Sequence, residues 1–102
     1  SLLAIEAEEH YVRVWTEGRE LYVRQSFGGL MSLLGNAHGF SPRRGIWFSF
    51  QNIDEIRRDD NGKFVIIPYK GPETVVPKAK ASEVRQLMKK RQARIQAADS
   101  RV

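Results

Sequence analysis

Residues 10–25 read HYVRVWTEGRELYVRQ, and the two-residue rhythm of this stretch decides the fold. Val12 and Val14 alternate with Tyr11, Arg13 and Trp15, and further on Leu21 and Val23 alternate with Tyr22 and Arg24. A strand with two unlike faces requires this period of two, because successive side chains point to opposite sides of the sheet. Glu17-Gly18 separates the two runs and supplies a turn, so the segment predicts a β-hairpin.

Outward from the hairpin, Leu2 to Glu6 mixes leucine, isoleucine and alanine and reads as a further strand. On the other side, Phe27, Leu30, Met31, Leu33 and Leu34 fall at helical spacing and stop at Gly35-Asn36, a pair suited to a helix C-terminus. The stretch from Asn36 to Gly45 is polar and contains glycine and proline, which predicts a loop leading into an Ile46-Trp47-Phe48 strand. Ile53 and Ile56 end at Arg57-Arg58. The turn Asp60-Asn61-Gly62 follows, and Phe64 to Ile67 answers it as a second hairpin. Tyr69-Lys70-Gly71-Pro72 then turns the chain into Thr74-Val75-Val76, closed by Pro77. Beyond it, Ser82 is placed to cap a helix whose stripe is Val84, Leu87, Met88, Arg91 and Ile95, with Lys, Arg and Gln opposite. The reading is a mostly β domain of at least six strands, with one short helix and a basic C-terminal helix.

A chain of 102 residues is one domain in size, and its 41% hydrophobic content suffices for a single core burying roughly 60–70% of the unfolded surface. With no cysteine, the sequence holds no disulfide, thiolate metal centre or cysteine nucleophile, which suits a reducing cytoplasm. No window approaches the ~20 apolar residues that span a bilayer. The sequence opens at Ser1 inside an apolar run without an initiator methionine. The expectation is therefore a cytoplasmic domain taken from a longer protein, with any sensor, receiver or membrane segment upstream.

The net charge of +5 is unevenly spread. Residues 1–77 carry nine Lys/Arg against ten Asp/Glu, whereas residues 78–102 carry eight against two. A basic C-terminal segment attracts phosphate backbones or anionic lipid, and its plainer reading is a solvated helix face. Catalytic signals are missing. There is no phosphate-binding glycine loop, no HExxH helix and no GxSxG elbow. His10 and His38 fall in separate loops, and Glu6, Glu8 and Glu9 read as solvated acids near arginines. Neither an enzyme nor a cofactor or metal site is expected. What remains are three polar clusters at strand ends, Glu9-His10-Tyr11, Pro42-Arg43-Arg44 and Lys78-Ala79-Lys80, interleaved with aromatic strands. Taken together they favour a DNA-facing surface.

The run Ile5-Glu6-Ala7-Glu8-Glu9-His10-Tyr11-Val12-Arg13-Val14 resembles the signature with which LytTR domains, the DNA-binding output domains of LytR/AgrA-type bacterial regulators, enter their first conserved hairpin. Four further landmarks follow in the family's order: Phe27 to Leu34, Phe40 to Ser49, Asn52-Ile53-Asp54-Glu55-Ile56, and Val76-Pro77. The similarity covers roughly residues 2–90; residues 1–90 are taken as the domain, with 91–102 as a basic helical extension that frays.

The resemblance implies an elongated stack of antiparallel sheets whose loops, rather than a recognition helix, enter successive major grooves and bend the DNA. Carried over by position, it implies base contacts by His10, Arg44 and Lys80, with Arg43 and Lys78 beside phosphates. Arginine suits guanine O6 and N7, and histidine can donate to a purine acceptor. Two copies on direct repeats, as a homodimer on DNA, are the arrangement implied. Lys89, Lys90 and Arg91 are expected to act through phosphate attraction only.

The sequence departs from the family in several places. Arg43-Arg44-Gly45 stands where His-Arg-Ser is usual, Ser41 and Pro42 replace a basic and an apolar residue, and Lys80 replaces arginine. The family's first strands are not found before Leu2, so either they lie upstream or this variant does without them, and their absence would leave an exposed apolar edge. Two other readings compete with sequence-specific DNA binding. One is a protein-interaction module that has lost it, suggested by Gly45 and Ile46. The other is an RNA-binding sheet that stacks bases on Tyr11, Tyr22 or Trp15.

Overall fold

The computed structural model describes residues 1–99 as eight strands and two helices in two antiparallel sheets. The first sheet runs in the order β3-β2-β1-β5-β4, from β1 (Leu2–Ala7), β2 (Val12–Thr16), β3 (Glu20–Val23), β4 (Gly39–Arg43) and β5 (Ile46–Ser49). The second runs β6-β7-β8, from β6 (Ile53–Arg58), β7 (Phe64–Pro68) and β8 (Thr74–Val75). Helix α1 spans Phe27–Leu34 and helix α2 Ala81–Asp99. The principal extents are 46 × 33 × 22 Å and the radius of gyration is 14.4 Å. A compact chain of this length would have about 13 Å, so the domain is elongated.

The hairpin of residues 10–25 forms as read, with Val12 opposite Val23 and Val14 opposite Leu21. The expected exposed edge at the N-terminal strand does not occur. β1 pairs with β2 on one side and β5 on the other, Ile5 lying opposite both Val14 and Trp47. Its Leu3-Ala4-Ile5 run is buried throughout because both faces of this sheet are covered. One face contributes Ala4, Trp15, Ile46 and Phe48 to a core shared with Phe64 and Ile66 of the second sheet and Val84 of α2. The other contributes Ile5, Val12, Val14 and Trp47 to a smaller cluster capped by Phe27, Leu30, Met31 and Leu34 of α1. Trp15 is therefore a core residue, and no flat stacking platform for a base.

The polar stretch 36–45 is not a loop throughout. Gly39–Arg43 pairs with β5 as an edge strand with a register shift between Phe40 and Arg43. Pro42 is tolerated there because an edge bulge needs no donor from it. The approach is close at Gly39, where a Cβ would lie 2.3 Å from the Phe48 carbonyl oxygen and 2.4 Å from the Trp47 ring.

The two sheets are joined by Asn52, which is buried. Its Nδ2 donates to the Leu3 carbonyl at 3.1 Å and the Lys70 carbonyl at 2.8 Å, and its Oδ1 accepts from the Lys70 amide at 3.0 Å. Ser26 caps α1 by accepting from the Gly29 amide at 3.0 Å, and Gly35 closes it at φ +65°. Ser82 does not cap α2. A 3₁₀ turn over Lys78–Lys80 runs into the helix at Ala81, so Ser82 already lies inside it. Val84 and Leu87 pack on the core, whereas Met88 and Ile95 stay exposed. The helix continues unbroken across residues 90 and 91 to Asp99, and the fraying expected of residues 100–102 lies outside the described residues.

Candidate nucleic-acid interface

Two of the three polar clusters meet at one end of the five-stranded sheet. Because β5 runs antiparallel to β1, with Glu6 opposite Ile46, the turn after β1 and the turn before β5 emerge side by side. The Ala7 amide donates to the Gly45 carbonyl at 2.8 Å and fastens them together. His10 sits on the first turn, which the Glu8 amide closes by donating to the Tyr11 carbonyl at 2.9 Å. Its imidazole is exposed, with Nε2 3.8 Å from Glu9 Oε1. Such an exposed pair contributes little to stability, so the ring remains available to a ligand.

Arg43 and Arg44, both exposed, occupy the second turn. Two residues that looked like departures shape it. Gly45 adopts φ +82°, a conformation in which a serine would be strained. The Ser41 hydroxyl lies 2.7 Å from the Arg43 carbonyl oxygen and 2.5 Å from that of Ile46, so its proton is shared across the turn. The arginines are thus presented by a clamped backbone, which lowers the ordering cost of a contact.

Sequence reading missed Arg24 and Gln25, which share a shallow concavity with His10 at this same sheet end. β3 returns there, since Val23 pairs with Val12. The signal present in the sequence was a polar Arg24-Gln25-Ser26 triplet at the hairpin's exit. Glu6, read from the sequence as an acid near arginines, stands beside Arg43 and Arg44, and Glu73, which the sequence did not single out, joins it there. Glu6 and Glu73 line one concavity with Arg43, Arg44 and Thr74. Burial raises the pKa of Glu6 and the neighbouring Glu8 adds to the rise, while Arg13 opposes it.

The third cluster is separate. Lys78 lines a concavity with Arg58, Lys63 and Arg85 around Phe64, at the far end of β8 from Arg43 and Arg44. From Thr74 to Lys78 is four residues of extended chain, about 13 Å. Lys80 points elsewhere, with its Nζ 3.4 Å from Glu83 Oε1. Arg91 is not free for phosphate. Its Nη2 donates to the carbonyls of Ile53 at 3.0 Å and Asp54 at 3.3 Å, docking α2 on β6. Tyr11 and Tyr22 pack edge to face with ring centres 5.0 Å apart, so the edge of one ring covers one face of the other.

Among the described residues no helix is long and apolar enough to cross a membrane, and no three His, Asp or Glu side chains group as a metal site would. A family model for the LytTr DNA-binding domain matches residues 1–89. The chain belongs to the LytTR family. Among solved structures, its fold is similar to the LytTr DNA-binding domain of a Bacillus cereus protein described as a methyl-accepting/DNA response regulator. That match has a TM-score of 0.70 at 21% identity, over 85% of this chain and 80% of the other. A comparison with curated proteins finds no match. The eight-stranded arrangement is thus the LytTR fold, and the family model's match ends at residue 89, inside α2.

Proposed function

We propose that this LytTR domain binds duplex DNA sequence-specifically as the output module of a bacterial transcriptional regulator. The observation that carries this reading is the hydrogen-bonded pairing of the His10 turn with the Arg43-Arg44 turn at one sheet end. Two short turns held rigidly together by a sheet can enter a major groove about 12 Å wide without a recognition helix. Arg44 and His10 read base edges, Arg43 and Lys78 hold phosphates, and Lys80 supplies a further basic contact once released from its exposed pairing with Glu83, which costs little. Two copies bind direct repeats one helical turn apart and form a dimer on DNA, and an upstream sensor or receiver domain controls them.

Selection from random duplex DNA at ~150 mM salt, followed by titration of the enriched sequence against a scrambled one, tests this. A repeated motif bound ~10³-fold or more above scrambled DNA is the expected result. Enrichment of nothing, with uniform loss of binding as salt rises, would leave an interaction module instead. The feature favouring that second reading is the acid pair Glu6 and Glu73 beside the two arginines, which reduces their attraction for phosphate.

A further inference from the structure

The turn between β6 and β7 is built to keep one shape. Asp59 Oδ1 accepts from the backbone amides of Asn61 and Lys63, both at 2.9 Å. The Gly62 amide donates to the Asp59 carbonyl at 3.0 Å, and Gly62 takes φ +79°. Arg58 Nη1 donates to the Gly62 carbonyl at 2.9 Å, which fixes its guanidinium 4.4 Å from the centre of the Phe64 ring. Arg85 reaches the same ring from α2, at 5.6 Å. Phe64 is itself buried in the shared core, so the ring is an immobile floor.

Around that floor stand four cations from separate parts of the chain, Arg58 and Lys63 from the hairpin, Lys78 from the 3₁₀ turn and Arg85 from the helix. No aspartate or glutamate lines the concavity, and none of the four forms a salt bridge among the described residues. The nearest acid in sequence, Asp59, has one carboxylate oxygen engaged by the turn's own amides. Like charges gathered at one place repel, and an anion seated among them turns that repulsion into attraction. A guanidinium held against a ring presents its edge to a phosphate without further ordering.

We infer that this concavity is a phosphate site for the DNA backbone. The inference rests on the DNA-binding reading above and extends it from Lys78 to Arg58, Lys63 and Arg85. A backbone phosphate suits the position better than a small free anion. Thr74 of β8 lines the concavity of Arg43 and Arg44, and Lys78, four residues on, lines this one, so both open along a single run of chain. A duplex contacted by Arg44 carries a row of such phosphates, which a small free anion does not.

The test uses the whole chain carrying Lys63→Ala and Arg85→Ala, with circular dichroism confirming the fold. Its affinity for the selected and for a scrambled duplex is measured from 50 to 300 mM salt, roughly the range where counterion release dominates. Loss of two phosphate contacts should lower the slope of log Kd against log salt by about 1.8, at ~0.9 per contact. The change should be equal on both duplexes, leaving their affinity ratio as in the wild type. Lys89→Ala/Lys90→Ala removes the same charge from an exposed stretch of α2 and should lower the slope less. An unchanged slope, or a change no larger than in that control, overturns the site while leaving the DNA-binding reading intact. A wild-type chain that binds no duplex at all overturns that reading, and the site with it. Lys63→Ala alone repeats the measurement without disturbing the Phe64 stack, and should lower the slope by about 0.9.

Discussion

The two concavities at either end of β8 differ in one respect that separates their roles. Beside Arg43 and Arg44 stand Glu6 and Glu73, whereas the basic residues around Phe64 have no acid among them. A balanced site gains little from long-range attraction and must recognise by geometry. An unbalanced one attracts any phosphate and recognises no base. On the DNA-binding function proposed above, base reading by Arg44 and phosphate holding around Phe64 would fall to different concavities, in two sheets that Asn52 joins.

If the spacing of the two concavities matters, loosening the joint should do the most damage. Asn52→Ala would strand the Leu3 and Lys70 carbonyls and the Lys70 amide, each buried group costing ~1–3 kcal/mol. Partial rehydration at the Lys70 side brings the expected loss to about 3 kcal/mol, measured by urea denaturation. Below the melting range, specific binding should weaken more than binding to scrambled DNA. Equal weakening of both would mean that the spacing carries no specificity.

Next in size is Arg44→Ala, expected to cost about 1–3 kcal/mol on the selected site and little on a scrambled duplex. An unchanged affinity on the selected site would remove Arg44 from the reading surface and with it the contrast between the two concavities.

A smaller effect is expected from Glu6→Gln, which tilts the reading concavity toward the character of the other. Relieving one half-buried opposing charge at the rim of the concavity is worth about 0.2–1 kcal/mol, up to roughly fivefold tighter binding to any duplex. Its pH dependence provides an internal check. The folded-state pKa of Glu6 is raised by burial first and Glu8 second, so ionisation is disfavoured in the fold. Wild type and variant should then melt alike below the ordinary pKa of 4.5, where the carboxyl is protonated in both states. The wild type should fall behind as pH rises through and above that value. A wild type that gained on the variant with rising pH would show that Arg13 outweighs burial.

The parts of this molecule that were legible in the sequence are those where local pattern and tertiary need agree. The 10–25 hairpin, α1 between Ser26 and Gly35, and the β6–β7 hairpin all carry their own turn chemistry and periodicity. β4 was illegible because Gly39-Phe40-Ser41-Pro42 has no alternation. Its strand character comes from pairing with β5, and its proline from the bulge. The start of α2 was misplaced because a 3₁₀ turn, which needs no side-chain cap, leads into it. His10 and Arg44 could be singled out as candidates from the sequence because each sits at a strand end. Arg24 and Arg85 were not, because only the fold brings Arg24 to His10 and Arg85 to Phe64.

The smallest expected effect isolates the reading end from the sheet that supports it. Ser49 lies at the end of β5 away from the Arg43-Arg44 turn, opposite Gly39, and its buried hydroxyl has no hydrogen-bond partner among the described residues, as is true of the Trp47 indole N–H. A buried hydroxyl that makes no hydrogen bond costs ~1–3 kcal/mol of desolvation, and deleting it leaves only a small void to set against that gain. Ser49→Ala should therefore leave stability unchanged or raise it by up to about 1 kcal/mol, a rise of ~4–8 °C in Tm for a domain of this size. DNA affinity should not move, because β5 holds its register through backbone pairing with β1 and β4, and the turn is clamped by Ser41 at the other end. A loss of more than about 1 kcal/mol would mean the hydroxyl is bonded after all. A change in sequence preference would mean that the turn's geometry depends on the whole length of β5 and not on its own clamp.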